Sequence, residues 1–175
     1  MCFCLRALGA IPDRLRMREL PHTHSCYVCG EFNPRGLNLR FESDGKTVRA
    51  SFAPAPEHAG FKTVTHGGIL ATVLDEIMVW ACAVATGRFA FCAEMTVRFH
   101  APANPGEALI AAAELTQNRR DKLFEARATL TNPAGQLVAE ATGKYRPIRA
   151  DEVRGMLTDI IGDVSWLAIQ GMSGN

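Results

Sequence analysis

The sequence predicts an α+β domain in which an antiparallel sheet curls around one long, largely buried helix. Three observations carry that expectation. The run HGGILATVLDEIMVWACAVA, residues 66–85, is apolar at nearly every angle of a 3.6-residue wheel, the pattern of a helix buried on most sides. Downstream of it, FAFCAEMTVRFHA, GEALIAAAELTQ, KLFEARATLTN and GQLVAEATGKYRP read as a meander of long strands, joined by short connections holding Pro105-Gly106, Asn118 to Asp121 and Asn132 to Gly135. Upstream of it, KTVRASFA sets Val48, Ala50 and Phe52 against Thr47, Arg49 and Ser51, the alternation of a half-buried strand.

Taken in order, residues 1–25 form a lead-in. Its opening MCFCLRALGAIPDRLRMREL reads as an exposed or docked helix; Arg6, Pro12, Asp13 and Arg14 interrupt it too often for a membrane span, which needs roughly 20 consecutive apolar residues. HTHSCYVCGEFNPRGLNLRF is then a loop, with Asn33, Pro34 and Gly36 marking turns, that feeds a strand whose alternation begins at Leu37. An Asp44-Gly45 turn pairs that strand with KTVRASFA. The long helix follows, and adjacent carboxylates at Asp75 and Glu76 make its insertion into a bilayer costly, so burial within the protein is expected. After the meander, DEVRGMLTDIIGDVSWLAI carries Val153, Leu157, Ile160 and Val164 at helical spacing and reads as a second helix or a partly ordered tail. The domain proper is therefore placed at residues 26–150 and a helical tail at 151–175. Roughly six strands with one long helix after the second is the layout called the hotdog. Its exposed sheet edge calls for pairing, so a dimer, or a dimer of dimers, is expected.

Composition agrees with one domain: 175 residues, 47% hydrophobic and 21% charged, are enough for a single core. A formal net charge of +1 gives no strong field toward nucleic acid or a membrane surface, and neither is expected as a partner. Six cysteines are spread along the chain with no leader segment read ahead of them, which suits reduced thiols and a cytoplasmic setting better than a secreted disulfide framework.

The chemistry concentrates on the long helix. His66-Gly67-Gly68 stands at its start, where the first backbone N–H groups lack helical partners and the dipole is positive. An oxyanion forming on a substrate carbonyl would be stabilised there, while the plain reading is that two glycines permit close packing. Buried carboxylates are costly unless paired or functional. Asp75 shares its helix face with Ala71, Met78 and Cys82, and Glu76 with Thr72 and Ala83. A salt bridge to an arginine on a neighbouring strand is the alternative for either acid. A helix that joins an anion-attracting start to an acid on a greasy face favours a site.

HGGILATVLDE, the downstream AEMTVRFHAP followed by PGE, and the upstream CYVCGEFNPRGLNLRF together resemble the hotdog-fold acyl-CoA thioesterases of the PaaI-like branch, over about residues 26–147. The resemblance implies that Asp75, nine residues after the His, is general base or nucleophile on the thioester. It implies also that the Gly67 N–H receives the oxyanion, that His66 holds the helix start and orients the thioester, and that Gly67 of one protomer works with Asp75 of its partner. Where such proteins often carry a hydroxyl residue assisting the acid, this chain has Cys92, and where many carry Asn or Gln six residues before the His, it has Gly60. His58 and Glu57 are nearby substitutes, though a loop histidine is more often a surface residue.

Cys26 and Cys29, with His22 and His24 close by, have the ligand types of a zinc site. A second CxxC is missing, and in similar thioesterases CxxCG ahead of NPxGL is a packed lead into the first strand, so no metal or other cofactor is expected. Coenzyme A carries phosphates, for which Arg119 and Arg120, beside Lys122 at a hairpin tip, are the candidate contacts; Arg98, Lys144 and Arg146 are alternatives, and solvation alone explains a charged tip. The helix flank of Met78, Val79 and Cys82 is expected to line an acyl cavity, with Glu76 among the substrate contacts. The expected activity is hydrolysis of an acyl-CoA. Rivals are a hotdog hydratase or dehydratase, and a non-catalytic acyl-CoA-binding protein.

Overall fold

A computed structural model describes residues 17–167. In chain order the elements are β1 (Arg18–Glu19), β2 (His22–Thr23), β3 (Glu42–Ser43), β4 (Thr47–Phe52), β5 (Ala59–Phe61), β6 (Val64–Thr65), α1 (Gly67–Thr86), β7 (Ala90–Phe99), β8 (Leu109–Asn118), β9 (Phe124–Thr131), β10 (Leu137–Pro147), α2 (Ala150–Leu157) and β11 (Ile160–Ile161). One antiparallel sheet in the order β1-β3-β4-β8-β9-β10-β7 wraps α1, which packs against β4, β7, β8, β9 and β10. This is the expected α+β hotdog.

The alternation read in the sequence is what turns one face of the sheet to the helix. Val48, Ala50 and Phe52 of β4, Leu109, Ala111 and Ala113 of β8, and Phe124, Ala126, Ala128 and Leu130 of β9 are all buried. The many inward alanines keep that face shallow, so α1 lies close to it and buries Leu70, Val73, Leu74, Ile77 and Met78 almost completely. Each such large side chain contributes about 1.5–3 kcal/mol when removed from water. By length and composition α1 could cross a membrane, but here its apolar surface is met by the sheet. Gly87, at φ 69°, closes α1 in the left-handed conformation that favours glycine, its N–H bonding Ala83 O.

The four long strands downstream of α1 lie where the sequence places them. The strand expected from Leu37 does not. Its ladder with β4 is confined to Glu42 and Ser43, because the Leu37 and Leu39 N–H groups go instead to the carbonyls of Tyr27 and Val28 in the preceding loop. Of the lead-in, residues 1–16 lie outside the described residues, and Arg18–Glu19 is a strand on β3 rather than a helix. Helical spacing in the tail holds only through Leu157; Ile160 and Ile161 pair with His22 and Thr23. Residues 168–175 lie outside the described residues.

Candidate active site

The start of α1 has one unclaimed donor. His66 is the N-cap, and its Nδ1 accepts the Gly68 N–H at 2.9 Å, while the Ile69 N–H bonds His66 O. The His66 N–H is itself tied to His58 O at 2.8 Å. Among the described residues nothing accepts the Gly67 N–H. The two glycines thus have separate reasons. A side chain at Gly68 would put its Cβ 2.8 Å from His66 Nδ1 and break the cap, so Gly68 serves the cap rather than an oxyanion. Gly67 keeps its N–H open beside the Phe99 ring, whose Cζ would lie 3.2 Å from an added Cβ.

Asp75 sits two turns further along, half-buried, and accepts a hydrogen bond from Tyr145 Oη to Oδ1 at 3.0 Å. Tyr145 is fully buried on β10 and lies across from Cys92 on β7, at a bulge between Lys144 and Tyr145. Gly143, two residues back on the same face, makes room for the ring: a Cβ there would stand 2.6 Å from Tyr145 Cε2. Burial, and after it the Asp75 charge, push the Cys92 thiol up to about 11, and the same two causes raise the Tyr145 phenol further. Both groups therefore stay protonated at neutral pH, and Tyr145 serves Asp75 as a donor. Tyr145 was not singled out by sequence. The small residue two positions before it was the available signal.

Glu76 faces another way. Its Oε1 accepts from Trp80 Nε1 at 3.2 Å, Cys29 Sγ at 3.3 Å and Cys26 Sγ at 3.7 Å. Burial, and next the charge at Cys26, push the Glu76 carboxyl up to about 7. No arginine bridge to either helix acid is found among the described residues, so the salt-bridge reading fails for both. The histidines near the CxxC turn are engaged elsewhere, His22 Nε2 with Glu31 at 2.8 Å and His24 stacked on Phe32.

A cavity of about 610 Å³ opens beside both acids, with Asp75, Glu76, Val79, Trp80, Phe89 and Cys92 on its wall. That volume suits a drug-sized or acyl ligand. Of the three flank residues expected on this wall, Val79 is there, while Met78 and Cys82 are fully buried in the core. A helix buried on nearly every side has no polar stripe to tell cavity from core.

At the β8–β9 tip, Arg120 and Asp121 both have positive φ, 54° and 56°, which makes a tight hairpin turn closed by Lys122 N–H to Arg119 O. Arg119 is paired with Glu125 at 2.6 Å, leaving Arg120 as the tip's more available guanidinium. Arg88, which the sequence reading passed over, bonds Asp121 O and Ile148 O and so joins this tip to the cavity wall. Lys144 is bound to Glu94. Of the substitutes for the missing amide, His58 has its Nδ1 occupied by the Ala55 N–H, and at the place of the amide itself Gly60 lies against His66, where a Cβ would stand 2.9 Å from His66 Cα. No bond or ion pair places Glu57 at the site among the described residues.

A sheet wrapped on one long helix, here with an open N–H at the helix start and a tyrosine-held aspartate on the helix flank, is the hotdog fold. Residues 62–139 match the model of the thioesterase superfamily, a stretch that includes His66, Gly67, Asp75 and Cys92. Among solved structures, a thioesterase superfamily protein is similar with a TM-score of 0.65 and 24% identity, over 71% of this chain and 60% of that one. The PaaI protein of E. coli, from the phenylacetic acid degradation operon, is similar with a TM-score of 0.59 and 20% identity, over 65% of this chain and 81% of that one. A Streptococcus mutans protein bound to acetyl CoA is similar with a TM-score of 0.55 and 20% identity, over 59% and 82%. No curated protein matches the chain.

Proposed function

We propose that the protein hydrolyses an acyl-CoA thioester to the free acid and coenzyme A. The observation that carries this reading is Asp75, held by Tyr145 and beside Cys92 on the wall of an apolar cavity of about 610 Å³. Asp75 takes a proton from a water whose oxygen attacks the thioester carbon; the carbonyl oxygen becomes an oxyanion. Collapse expels the coenzyme A sulfur, which leaves as the thiol once protonated. Direct attack by Asp75, through a mixed anhydride that water then opens, uses the same geometry.

The oxyanion donor belongs to a second chain in this reading. Gly67 and Asp75 are separated along α1 by about 12 Å at roughly 1.5 Å per residue, too far for one thioester carbonyl to meet both. β7 ends the sheet, with Phe91 and Phe99 exposed on it, and a two-fold pairing of this strand with its copy buries both rings and closes the edge. Each site then combines Asp75 with the partner's Gly67, in a dimer or a dimer of dimers. The acetyl CoA bound by the similar Streptococcus mutans protein supports a coenzyme A thioester as ligand, and Arg120 and Arg88 are the cations we assign to its phosphates.

A panel of acyl-CoA esters, read by free thiol release against a blank, tests the reading. Turnover of at least one ester is expected. Because Gly60 offers no side-chain amide beside His66, the competing reading is a binding protein; tight acyl-CoA binding with no thiol release from any ester would establish it.

A further inference from the structure

We propose that Cys26, Cys29 and Glu76 form a binding site for a zinc-class divalent ion, which clamps the CxxC turn to α1. The three donor atoms lie within 4.8 Å of one another. Around a tetrahedral zinc with Zn–S about 2.3 Å and Zn–O about 2.1 Å, a sulfur and an oxygen ligand stand about 3.6 Å apart. The Glu76 oxygen lies 3.7 Å from Cys26 Sγ and 3.3 Å from Cys29 Sγ. The two sulfur–oxygen spans of such a coordination sphere are therefore already in place.

The turn that presents the sulfurs is built for thiolates. The Val28 N–H points at Cys26 Sγ, 3.2 Å away, and the Gly30 N–H closes the turn on Cys26 O at 3.0 Å. Only glycine permits this closure, since a Cβ at Gly30 would fall 2.2 Å from Cys26 O. The carboxylate is aimed as well: Trp80 Nε1 fixes Glu76 Oε1, the outer-shell support that orients metal ligands. Three groups that are anionic when deprotonated thus converge, and among the described residues no Lys, Arg or His side chain pairs with any of them. The Arg40 guanidinium donates to the Cys29 carbonyl instead. A divalent cation supplies the missing charge. Its binding sends to solvent the protons that the two sulfurs and the carboxyl hold and leaves two thiolates and a carboxylate around a 2+ ion, net charge −1.

Three protein donors leave one tetrahedral position for water or a small ligand. Cys26 and Glu76 both reach the cavity wall, so that position is served from the cavity. This site departs from the metal-free expectation drawn from sequence, and for a definite reason: the third donor is Glu76, 50 residues from Cys26 and invisible to local spacing, whereas the histidines nearby are engaged elsewhere.

The test uses the whole chain, reduced with a phosphine, stripped with chelator, and titrated with zinc and separately with cobalt(II). Expected are about one ion per chain and, for cobalt, the intense thiolate-to-metal absorption of a sulfur-ligated tetrahedral site. Glu76→Gln and Cys29→Ser should each weaken binding by more than about tenfold, the lower bound set by outer-shell losses alone. His22→Ala and His24→Ala should bind as the parent does. Wild-type protein that takes up no zinc, cobalt bound without thiolate absorption, or loss of the ion in the histidine variants would each overturn the proposal. Metal content is read without substrate, so this outcome is independent of whether any thioester is cleaved.

Discussion

The Tyr145 hydroxyl donates to Asp75 Oδ1 across 3.0 Å, tying the flank of α1 to β10 at the cavity wall. Tyr145→Phe keeps the buried ring and deletes this donor. Hydrogen bonds to charged groups contribute about 1.5–3 kcal/mol, so urea unfolding should show a loss near the lower end of that range, because Asp75 is only half-buried. Hydrolysis should fall through kcat rather than KM. A variant with unchanged kcat would remove Tyr145 from the positioning of Asp75.

Gly143→Ala tests the same contact from the other side. Its Cβ would stand 2.6 Å from Tyr145 Cε2, so the ring must shift away from Asp75. Activity should drop more than in Tyr145→Phe, since both packing and hydrogen bond are disturbed. An alanine variant as active as the parent would show that the ring has room the structure does not give it.

The two helix acids should separate cleanly. Asp75→Asn is expected to lower hydrolysis of the best acyl-CoA by about a hundredfold or more with the fold intact, the scale for losing a general base or nucleophile. Glu76→Gln, whose carboxyl faces the CxxC turn, should change hydrolysis far less. The reverse order of effects would move the chemistry from Asp75 to Glu76.

How much of this was legible in the sequence depends on how local the cause is. Period two along residues 109–147 marks β8, β9 and β10 because each strand has one face on α1. Leu37 to Phe41 shows the same alternation, yet its N–H groups serve Tyr27 and Val28 in the CxxC loop, a choice made by tertiary contacts. His66, Gly67 and Asp75 lie close in sequence and could be read together. Tyr145 and Asp75 are 70 residues apart, and Cys26 and Glu76 are 50 apart, so sheet topology alone brings them together. Met78 and Val79 were ambiguous because the helix is apolar all round.

Cys92 gives a pH-dependent readout. Its thiol is raised to about 11, first by burial and next by the Asp75 charge, so at pH 8 it is almost wholly protonated and should alkylate slowly, with the rate climbing well above the range of an ordinary thiol near 8.5. Asp75→Asn removes the second cause and leaves the first. The midpoint of the rate profile, followed at the Cys92 peptide by mass spectrometry, should therefore move down without reaching the ordinary value. An unmoved midpoint would mean that Asp75 does not act on this thiol.

The shared site is the central claim, and mixed dimers test it most directly. One chain carries Asp75→Asn, and the other carries Gly67→Pro, which deletes the open N–H. Proline suits that place: Gly67 is the first residue of α1, His66 before it is already extended at ψ 129°, and an added Cβ would stand 3.2 Å from Phe99 Cζ, which asks the ring to give by only about a few tenths of an ångström. If sites form across the dimer, one site in each heterodimer inherits both intact groups and the other both lesions. Coexpressed heterodimers purified through two different tags should then recover about half of the wild-type activity per dimer, while each parent homodimer stays inactive. Folded heterodimers as inactive as their parents would show that each chain builds its own site, and would contradict the pairing of Asp75 with the partner's Gly67.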